Sequence, residues 1–272
     1  MILIIAAILL AAAFSLQRLN FWRREGLKLQ QSGYLPPKSG WIADRVFQGL
    51  TRLLIFLTVG PVKVIGRQNA SYRGRLLVVP NHTYQFDFAM VASSLPFTFR
   101  YLADSKELTG IRAPFAAWTG AFGVDTKAEG SGEAVIRSSV NSLSASQNSR
   151  LLIFPQGKMV KDNVLRPEEF RTGAVRILRQ AAEQCQDQSA ALLPVAIHYK
   201  RDARSASWFH KVLLRLGLSG FRKAFGMANF GGTVVIGEPI PVRSLPDDPH
   251  QATELMRSKI NSLLRVAQDV IR

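Results

Sequence analysis

The stretch LLVVPNHTYQFD, residues 76–87, decides the fold of this chain, because a short apolar run meets a polar turn there. Consecutive aliphatic residues predict a strand over Leu76–Val79 that is buried on both faces. In open α/β sheets, ligands bind beyond the carboxyl ends of the strands. The turn that follows, with His82 and Asp87, is therefore the first place to look for chemistry.

Similar apolar runs recur along the chain and alternate with helical patterns. The predicted strands are Val62–Ile65, Leu76–Val79, Phe97–Leu102, Phe122–Val124, Leu151–Phe154, Ala191–Ile197 and Thr233–Ile236. The predicted helices are Phe86–Ser94, Ala113–Trp118, Glu133–Ser144, Thr172–Gln184 and Pro249–Ile271, the last with Asp248 as its N-cap. This alternation predicts an α/β layered domain, which we assign to residues 61–272.

Composition narrows the class of protein. The chain has 272 residues, 47% of them apolar, which supports a core and excludes disorder as the main state. A single cysteine, Cys185, excludes a disulfide scaffold, and nothing in the sequence indicates a metal site or a bound cofactor. A net charge of +16 combined with a mean hydropathy of +0.06 favours an anionic membrane surface as partner over nucleic acid. A basic soluble enzyme is the alternative.

Residues 1–60 form the other predicted unit. Residues 1–16, MILIIAAILLAAAFSL, would reach about 24 Å as a helix, slightly short of a bilayer core of about 30 Å. Arginines follow at once, so we expect a membrane anchor, spanning or interfacial, with the rest of the chain on the cytoplasmic face of the cell membrane. A cleaved signal peptide and a buried core helix are the alternatives.

Two further segments have the character of membrane-facing structure. Residues 41–57 carry apolar side chains at helical spacing, which predicts an amphipathic helix at the interface or on the domain surface. Between Tyr199 and Phe225, seven Lys and Arg residues are interleaved with aromatic residues and leucines, against one acidic residue. This composition favours an interfacial segment, with a surface helix packed on the sheet as the alternative.

The turn after the Leu76 strand holds a possible acid–base pair. Imidazole is the side chain best suited to take up a proton near neutral pH. A carboxylate five residues later, across a loop-to-helix turn, can fold back on one ring nitrogen and stabilise the imidazolium. His82 and Asp87 have this spacing. A loop histidine that caps the next helix is the alternative interpretation.

Anion-binding features follow the strand at Leu151. The turn Pro155-Gln156-Gly157-Lys158 presents backbone N–H groups and a cation, which could hold a phosphate or a developing oxyanion. Arg171 stands beside the start of the next helix, whose N-terminus attracts anions. A solvated charge is the alternative for Arg171.

In this order, the sequence blocks resemble the PlsC-like glycerophospholipid acyltransferases, the family of 1-acylglycerol-3-phosphate acyltransferases. The first block, N-H-x4-D, is matched by Asn81, His82 and Asp87. The second is matched by Lys106, Leu108, Pro114, Phe115, Gly120, Phe122 and Asp125, and Thr126 and Lys127 follow. The third is matched by Phe154–Lys158 with Phe170–Ala174, and the fourth by Leu193–Ile197. The similarity covers about residues 60–240.

The resemblance implies a fold and an activity. The fold would be α/β, a mixed central sheet flanked by helices, with an N-terminal membrane-associated helical segment. The activity would be transfer of a fatty acyl group from a thioester of acyl carrier protein or coenzyme A to a lysophospholipid, giving phosphatidic acid from 1-acyl-sn-glycerol 3-phosphate. His82 and Asp87 would be catalytic. The implied substrate-binding residues are Asn81, Asp125, Lys127, Gln156, Gly157, Lys158 and Arg171.

Two departures from the family pattern concern the acceptor. The glutamate of the third block is Gln156 here, and the following Thr-Arg pair is Lys158-Met159. The second block ends in Thr126-Lys127 instead of arginine. These changes leave other acceptors open, namely lysophosphatidylcholine, glycerol 3-phosphate or an amino-acid lipid. They also leave open a non-catalytic membrane lipid-binding protein.

Overall fold

The structure is a computed structural model that describes most of the chain. It covers residues 17–29, 34–38, 40–84, 87–105, 108–110, 112–124, 131–200, 215 and 231–270. The apolar segment 1–16, most of the basic segment 199–225, and the predicted site residues Asp125 and Lys127 lie outside these ranges.

Helices and strands alternate along the described chain, as the sequence predicted. The described α-helices are α1 at residues 17–28, α2 Trp41–Thr58, α3 Asp87–Ser94, α4 Arg112–Trp118, α5 Ser131–Ser144, α6 Gly173–Gln184 and α7 Pro249–Asp269. The strands are β1 Val62–Ile65, β2 Leu76–Pro80, β3 Arg100–Asp104, β4 Ala121–Val124, β5 Arg150–Leu152, β6 Ala191–Tyr199, β7 Gly232–Ile236 and β8 Ile240–Pro241. Short 3₁₀ turns lie at Arg67–Ser71, Pro167–Glu169 and Val242–Ser244.

The strands form one sheet in the order β1-β7-β6-β2-β5-β3-β4, with β8 also paired to β6. β2 runs parallel to both of its neighbours, β5 and β6, whereas β7 and β8 are antiparallel to β6. The sheet is therefore mixed and flanked by helices, which confirms the predicted fold class. Because β2, β5 and β6 are parallel, their carboxyl ends lie along the same edge of the sheet.

Hydrophobic packing covers both faces of the sheet. Leu77 and Val79 of β2 pack with α5, α6 and α7, whereas Leu76 and Val78 pack with α2 and α3 on the opposite face. β2 is thus buried on both faces, as its uninterrupted aliphatic sequence predicted. α7 begins as expected, since the Asp248 carboxylate accepts the backbone N–H of His250 at 2.6 Å.

Two predicted strands include residues that lie outside the observed strand. β3 begins at Arg100 instead of Phe97, because residues 95–99 form the bend and loop that connect α3 to β3. β5 ends at Leu152 instead of Phe154, because the chain turns there and the Phe154 carbonyl accepts the Gly157 N–H at 3.0 Å. Apolar residues adjacent to a strand cannot be distinguished by pattern from the strand itself.

α2 is amphipathic, but both of its faces carry apolar residues. One side buries Phe47 and Ile55 against α3 and the sheet, together with Val59 directly after the helix. The outer side leaves five large apolar side chains about half exposed or more, namely Ile42, Val46, Leu50, Leu53 and Phe56. None of the helices in the described residues has the length and apolarity required to cross a bilayer.

Candidate active site

The site is built where two loops meet at the carboxyl edge of the sheet. One loop follows β2 and carries His82, and the other follows β5 and carries Gln156. The His82 N–H donates to Gln156 Oε1 at 2.8 Å, and the His82 carbonyl accepts the Val160 N–H at 2.7 Å. The peptide on each side of His82 is therefore fixed by the second loop.

The predicted acid–base pair forms in the structure. His82 Nδ1 lies 2.9 Å from Asp87 Oδ2, and the His82 ring stacks on Phe154 with ring centroids 3.9 Å apart. The His82 side chain is 20% exposed, whereas the Asp87 carboxylate is fully buried. Because Nδ1 faces the carboxylate, Nε2 is the ring nitrogen that can take a proton from a substrate.

The Asp87 carboxylate is held by five hydrogen bonds within the described residues. Oδ2 accepts from His82 Nδ1, from the Thr83 N–H and from the Tyr84 N–H at 2.8 Å. Oδ1 accepts from the Tyr199 hydroxyl at 2.6 Å and from Thr83 Oγ1 at 3.4 Å. A buried charge is costly unless donors surround it, and these donors supply that compensation.

Tyr199 is a site residue that sequence reasoning missed. Burial, followed by the negative charge of Asp87, raises the pKa of the Tyr199 phenol well above its ordinary value. The phenol therefore stays protonated and remains a hydrogen-bond donor. The available signal was a polar side chain at the end of the long apolar run that forms β6.

Asn81, predicted to contact substrate, is fully buried and bonded to protein groups. Its Oδ1 accepts the Ile197 N–H at 2.7 Å, and its Nδ2 donates to the Ile197 carbonyl and to Asn163 Oδ1. The amide therefore ties the start of the His82 loop to β6 and to the second loop. Its contacts are those of a positioning residue.

Gln156 and Gly157 form the turn after β5. Gln156 is 1% exposed, and its Nε2 is buried with no hydrogen-bond partner among the described residues. Gly157 has φ +64°, a left-handed conformation that favours glycine. Its N–H donates to the Phe154 carbonyl, so this N–H is not the oxyanion donor that we expected near Gly157.

Two predicted cations flank this turn. The Arg171 guanidinium lies close to Gly157. A Cβ atom added to this glycine would be 3.8 Å from Arg171 Nε. The Lys158 side chain is 64% exposed, and its Nζ lies 3.5 Å from Glu169 Oε1. Both cations are therefore at the surface of the β5 turn, next to the loop that holds His82.

The arrangement has the parts of a general-base site. A buried carboxylate orients an imidazole whose other nitrogen can accept a proton, and two cations stand at the adjacent turn. In the part of the chain that the structure describes, no three His, Cys, Asp or Glu side chains are grouped as metal ligands.

Comparison with known proteins identifies the family of this chain. The acyltransferase family model matches residues 61–198, just over half of the chain, and the match includes His82, Asp87 and the β5 turn. The chain belongs to the acyltransferase family. No curated protein matches this acyltransferase.

A solved structure has a similar fold. It is the crystal structure of the 1-acyl-sn-glycerophosphate (LPA) acyltransferase, PlsC, from Thermotoga maritima. The TM-score is 0.54 at 16% sequence identity, and the alignment covers 84% of this chain and 79% of that chain. At this identity the likeness establishes a PlsC-like fold.

Proposed function

We propose that this acyltransferase moves a fatty acyl group from a thioester of acyl carrier protein or coenzyme A to the hydroxyl of a lysophospholipid. The first candidate acceptor is 1-acyl-sn-glycerol 3-phosphate, which would give phosphatidic acid and place the enzyme in phospholipid biosynthesis. The contact between His82 Nδ1 and Asp87 Oδ2, at 2.9 Å, carries the proposal. Family membership and the PlsC-like fold support it.

In the proposed reaction, His82 Nε2 removes the proton of the acceptor hydroxyl. The hydroxyl oxygen attacks the thioester carbonyl carbon at the same time. A tetrahedral intermediate forms, and its collapse breaks the carbon–sulfur bond. The imidazolium then returns the proton to the leaving sulfur, so that an ester and a free thiol are the products. General-base catalysis of this kind contributes about 10²–10⁴-fold.

Asp87 and Phe154 prepare His82 for this role. The carboxylate accepts the Nδ1 proton, which directs Nε2 towards the acceptor and stabilises the imidazolium that forms. The stacked Phe154 ring limits rotation of the imidazole plane. Neither residue needs to move during the reaction, so the protein does not have to reorganise as charge develops.

Lys158 and Arg171 are the proposed binding groups for the acceptor head group. They flank the β5 turn, and cations at such a turn suit a phosphate. Glu169 lies 3.5 Å from Lys158, so a bound phosphate competes with this carboxylate for the ammonium group. Asp125 and Lys127 stay predictions, because they lie outside the described residues.

We also propose that the enzyme acts on the cytoplasmic face of the cell membrane. The exposed apolar side of α2 supports the membrane contact, since a large uncovered apolar surface marks a contact with another apolar phase, and the arginines that follow residues 1–16 favour the cytoplasmic side. Vesicle flotation tests it: Leu50→Ser with Leu53→Ser should reduce binding to anionic vesicles, and added salt should reduce it further. Absence of binding to vesicles would contradict a membrane location, whereas binding that is unaffected by the variant and by salt would contradict the contribution of α2.

The activity is tested by acylation of lysophosphatidate with a labelled acyl thioester. We expect His82→Ala and Asp87→Asn each to lower turnover at least 100-fold. His250→Ala is the matched control, because His250 is exposed at the start of α7. Turnover within a few-fold of the unmodified enzyme for either site variant would rule out the mechanism.

A panel of acceptors separates the alternatives. Preference for lysophosphatidylcholine, glycerol 3-phosphate or an amino-acid lipid would mean that the proposed mechanism acts on a different acceptor. A non-catalytic lipid-binding role is the second candidate, and the presence of Gln156 and Lys158 in place of the family residues favours it. That role predicts lipid binding with no turnover for any donor and acceptor.

A further inference from the structure

A cavity of about 390 Å³ lies at the edge of the sheet opposite to the catalytic pair. Arg100 and Arg150 are the first residues of β3 and β5, and both line it. His82 and Gln156, in contrast, follow the carboxyl ends of β2 and β5. The cavity is therefore separated from the active site by the length of the strands.

The walls of this cavity carry unbalanced positive charge. The charged residues that line it are Lys38, Asp44, Arg45, Arg100 and Arg150. The single carboxylate among them, Asp44, accepts a hydrogen bond from Thr98 Oγ1 at 3.1 Å. Four cations around one carboxylate repel one another, and an anion inside the cavity would relieve that repulsion.

Several donors in the cavity wall are buried without a partner. Nε and Nη1 of Arg100 and Oγ of Ser142 are inaccessible to solvent and have no hydrogen-bond partner among the described residues. Ser142 is 2% exposed. Native proteins leave few buried donors unpaired, and a turn of the Arg100 and Ser142 side chains would bring these donors to an acceptor bound in the cavity.

The directions in which two pKa values are shifted agree with this picture. Burial lowers the pKa of Arg100, and burial followed by the charge of Arg100 lowers the pKa of Lys38. Arg150 differs, because its Nη2 donates to the Tyr72 carbonyl at 2.9 Å and its guanidinium lies over the Phe97 ring. Arg150 is thus fixed to the protein, whereas the Lys38 ammonium has only the Ser146 hydroxyl at 3.5 Å and Arg100 Nε and Nη1 have no partner among the described residues.

We propose that this cavity is an accessory anion site that takes a phosphate monoester, with the phosphate held by Arg100, Lys38 and Ser142. The volume is in the range of small-molecule sites, so it accommodates an organic part as well as the phosphate. Phe47 and Trp118 supply apolar walls for that part. The site is independent of acyl transfer at His82.

A soluble phosphate ester and the head group of an anionic phospholipid share this chemistry. A lipid head group can reach the cavity because α2 has two sides. Arg45 and Phe47 of α2 line the cavity, and the same helix carries the exposed apolar side. Phosphate could bind at Lys158 and Arg171 too, so the experiment uses the full chain with Arg171→Gln as its background. Titration calorimetry then reports the accessory site.

Inorganic phosphate and glycerol 3-phosphate are titrated into this background in detergent, with chloride at the same ionic strength as reference. Nanodiscs that contain phosphatidate or only phosphatidylcholine form the lipid arm. We expect saturable binding of about one phosphate ester per chain, or selective binding of phosphatidate nanodiscs. The first result assigns a soluble ligand and the second a lipid head group.

Arg100→Gln should weaken that binding at least tenfold, and Ser142→Ala at least threefold, whereas the exposed Arg137→Gln should leave it unchanged. Without phosphate, Arg100→Gln should melt no lower than its background, because it removes an uncompensated buried charge. Ser142→Ala provides the test if Arg100→Gln does not fold. Absence of binding in both arms, or binding unaffected by both variants, would overturn the proposal.

Discussion

Replacing Tyr199 with phenylalanine isolates one hydrogen bond of the active site. The substitution removes the hydroxyl that donates to Asp87 Oδ1 at 2.6 Å and keeps the ring that packs beside Tyr84. No cavity the size of a side chain is created. The change therefore measures the contribution of this donor to the buried carboxylate.

The expected magnitude follows from the contacts of Oδ1. A hydrogen bond to a charged group contributes about 1.5–3 kcal/mol, and its loss leaves Oδ1 with Thr83 Oγ1 at 3.4 Å, which is a weak replacement. We expect the free energy of unfolding to fall by about 1.5–3 kcal/mol. If half or more of that energy fixes Asp87 against His82, kcat falls by about 4- to 160-fold.

Steady-state kinetics and urea unfolding measure the two effects separately. Tyr199 bonds to Asp87 and is buried beneath it, so we expect kcat to fall while KM for lysophosphatidate stays within about twofold. Tyr72→Phe is the matched control, because the Tyr72 hydroxyl donates to the Ser189 carbonyl at 2.8 Å on the exposed surface. It should change kcat less than twofold.

A Tyr199→Phe variant with lower stability but unchanged kcat would contradict this role of the hydroxyl. The phenol would then stabilise the fold without helping Asp87 to orient His82. A variant with both quantities unchanged would contradict it as well, since the hydrogen bond would then contribute nothing in solution. A large rise in KM alone would instead show that Tyr199 contacts the substrate.

Three further predictions concern stability and the loops. Burial raises the pKa of Tyr101 to about 12, so its contribution to stability is complete below pH 10 and is lost as the pH rises towards 12. Unfolding curves across this range should lose about 2–3 kcal/mol from this residue, and Tyr101→Phe should flatten that loss. Gln156→Ala removes the acceptor of the His82 N–H and should lower kcat at least tenfold, whereas Gln156→Glu keeps the acceptor and should stay within a few-fold. Gly157→Ala should cost about 1–2 kcal/mol in urea unfolding through its positive φ, because the new Cβ makes ordinary contact with Arg171.

The features that the sequence predicted well are local ones. His82 and Asp87 are five residues apart, so their contact follows from a single loop-to-helix turn. The uninterrupted apolar run of β2 likewise indicates that the strand is buried on both faces. Such signals need no knowledge of which distant segments become neighbours.

The features that sequence reasoning missed depend on distant segments. Tyr199 reaches Asp87 only because β6 pairs with β2, a pairing between residues more than a hundred positions apart. Asn81 has an amide that suits either substrate or backbone, and only the position of Ile197 decides between them. The cavity at Arg100 lies at the amino ends of strands. The rule for open α/β sheets places ligands at the carboxyl ends, so it gives no reason to expect a site at this edge.

The double attachment of the His82 peptide, to Gln156 on one side and Val160 on the other, has a consequence for how this acyltransferase can diversify. If His82 is the base, as proposed, its anchored peptide cannot follow different acceptors, so each acceptor has to be brought to it. Substitutions in the surface residues near Gly157 and Arg171 would then alter which acceptor is used while the proton-transfer step is inherited unchanged.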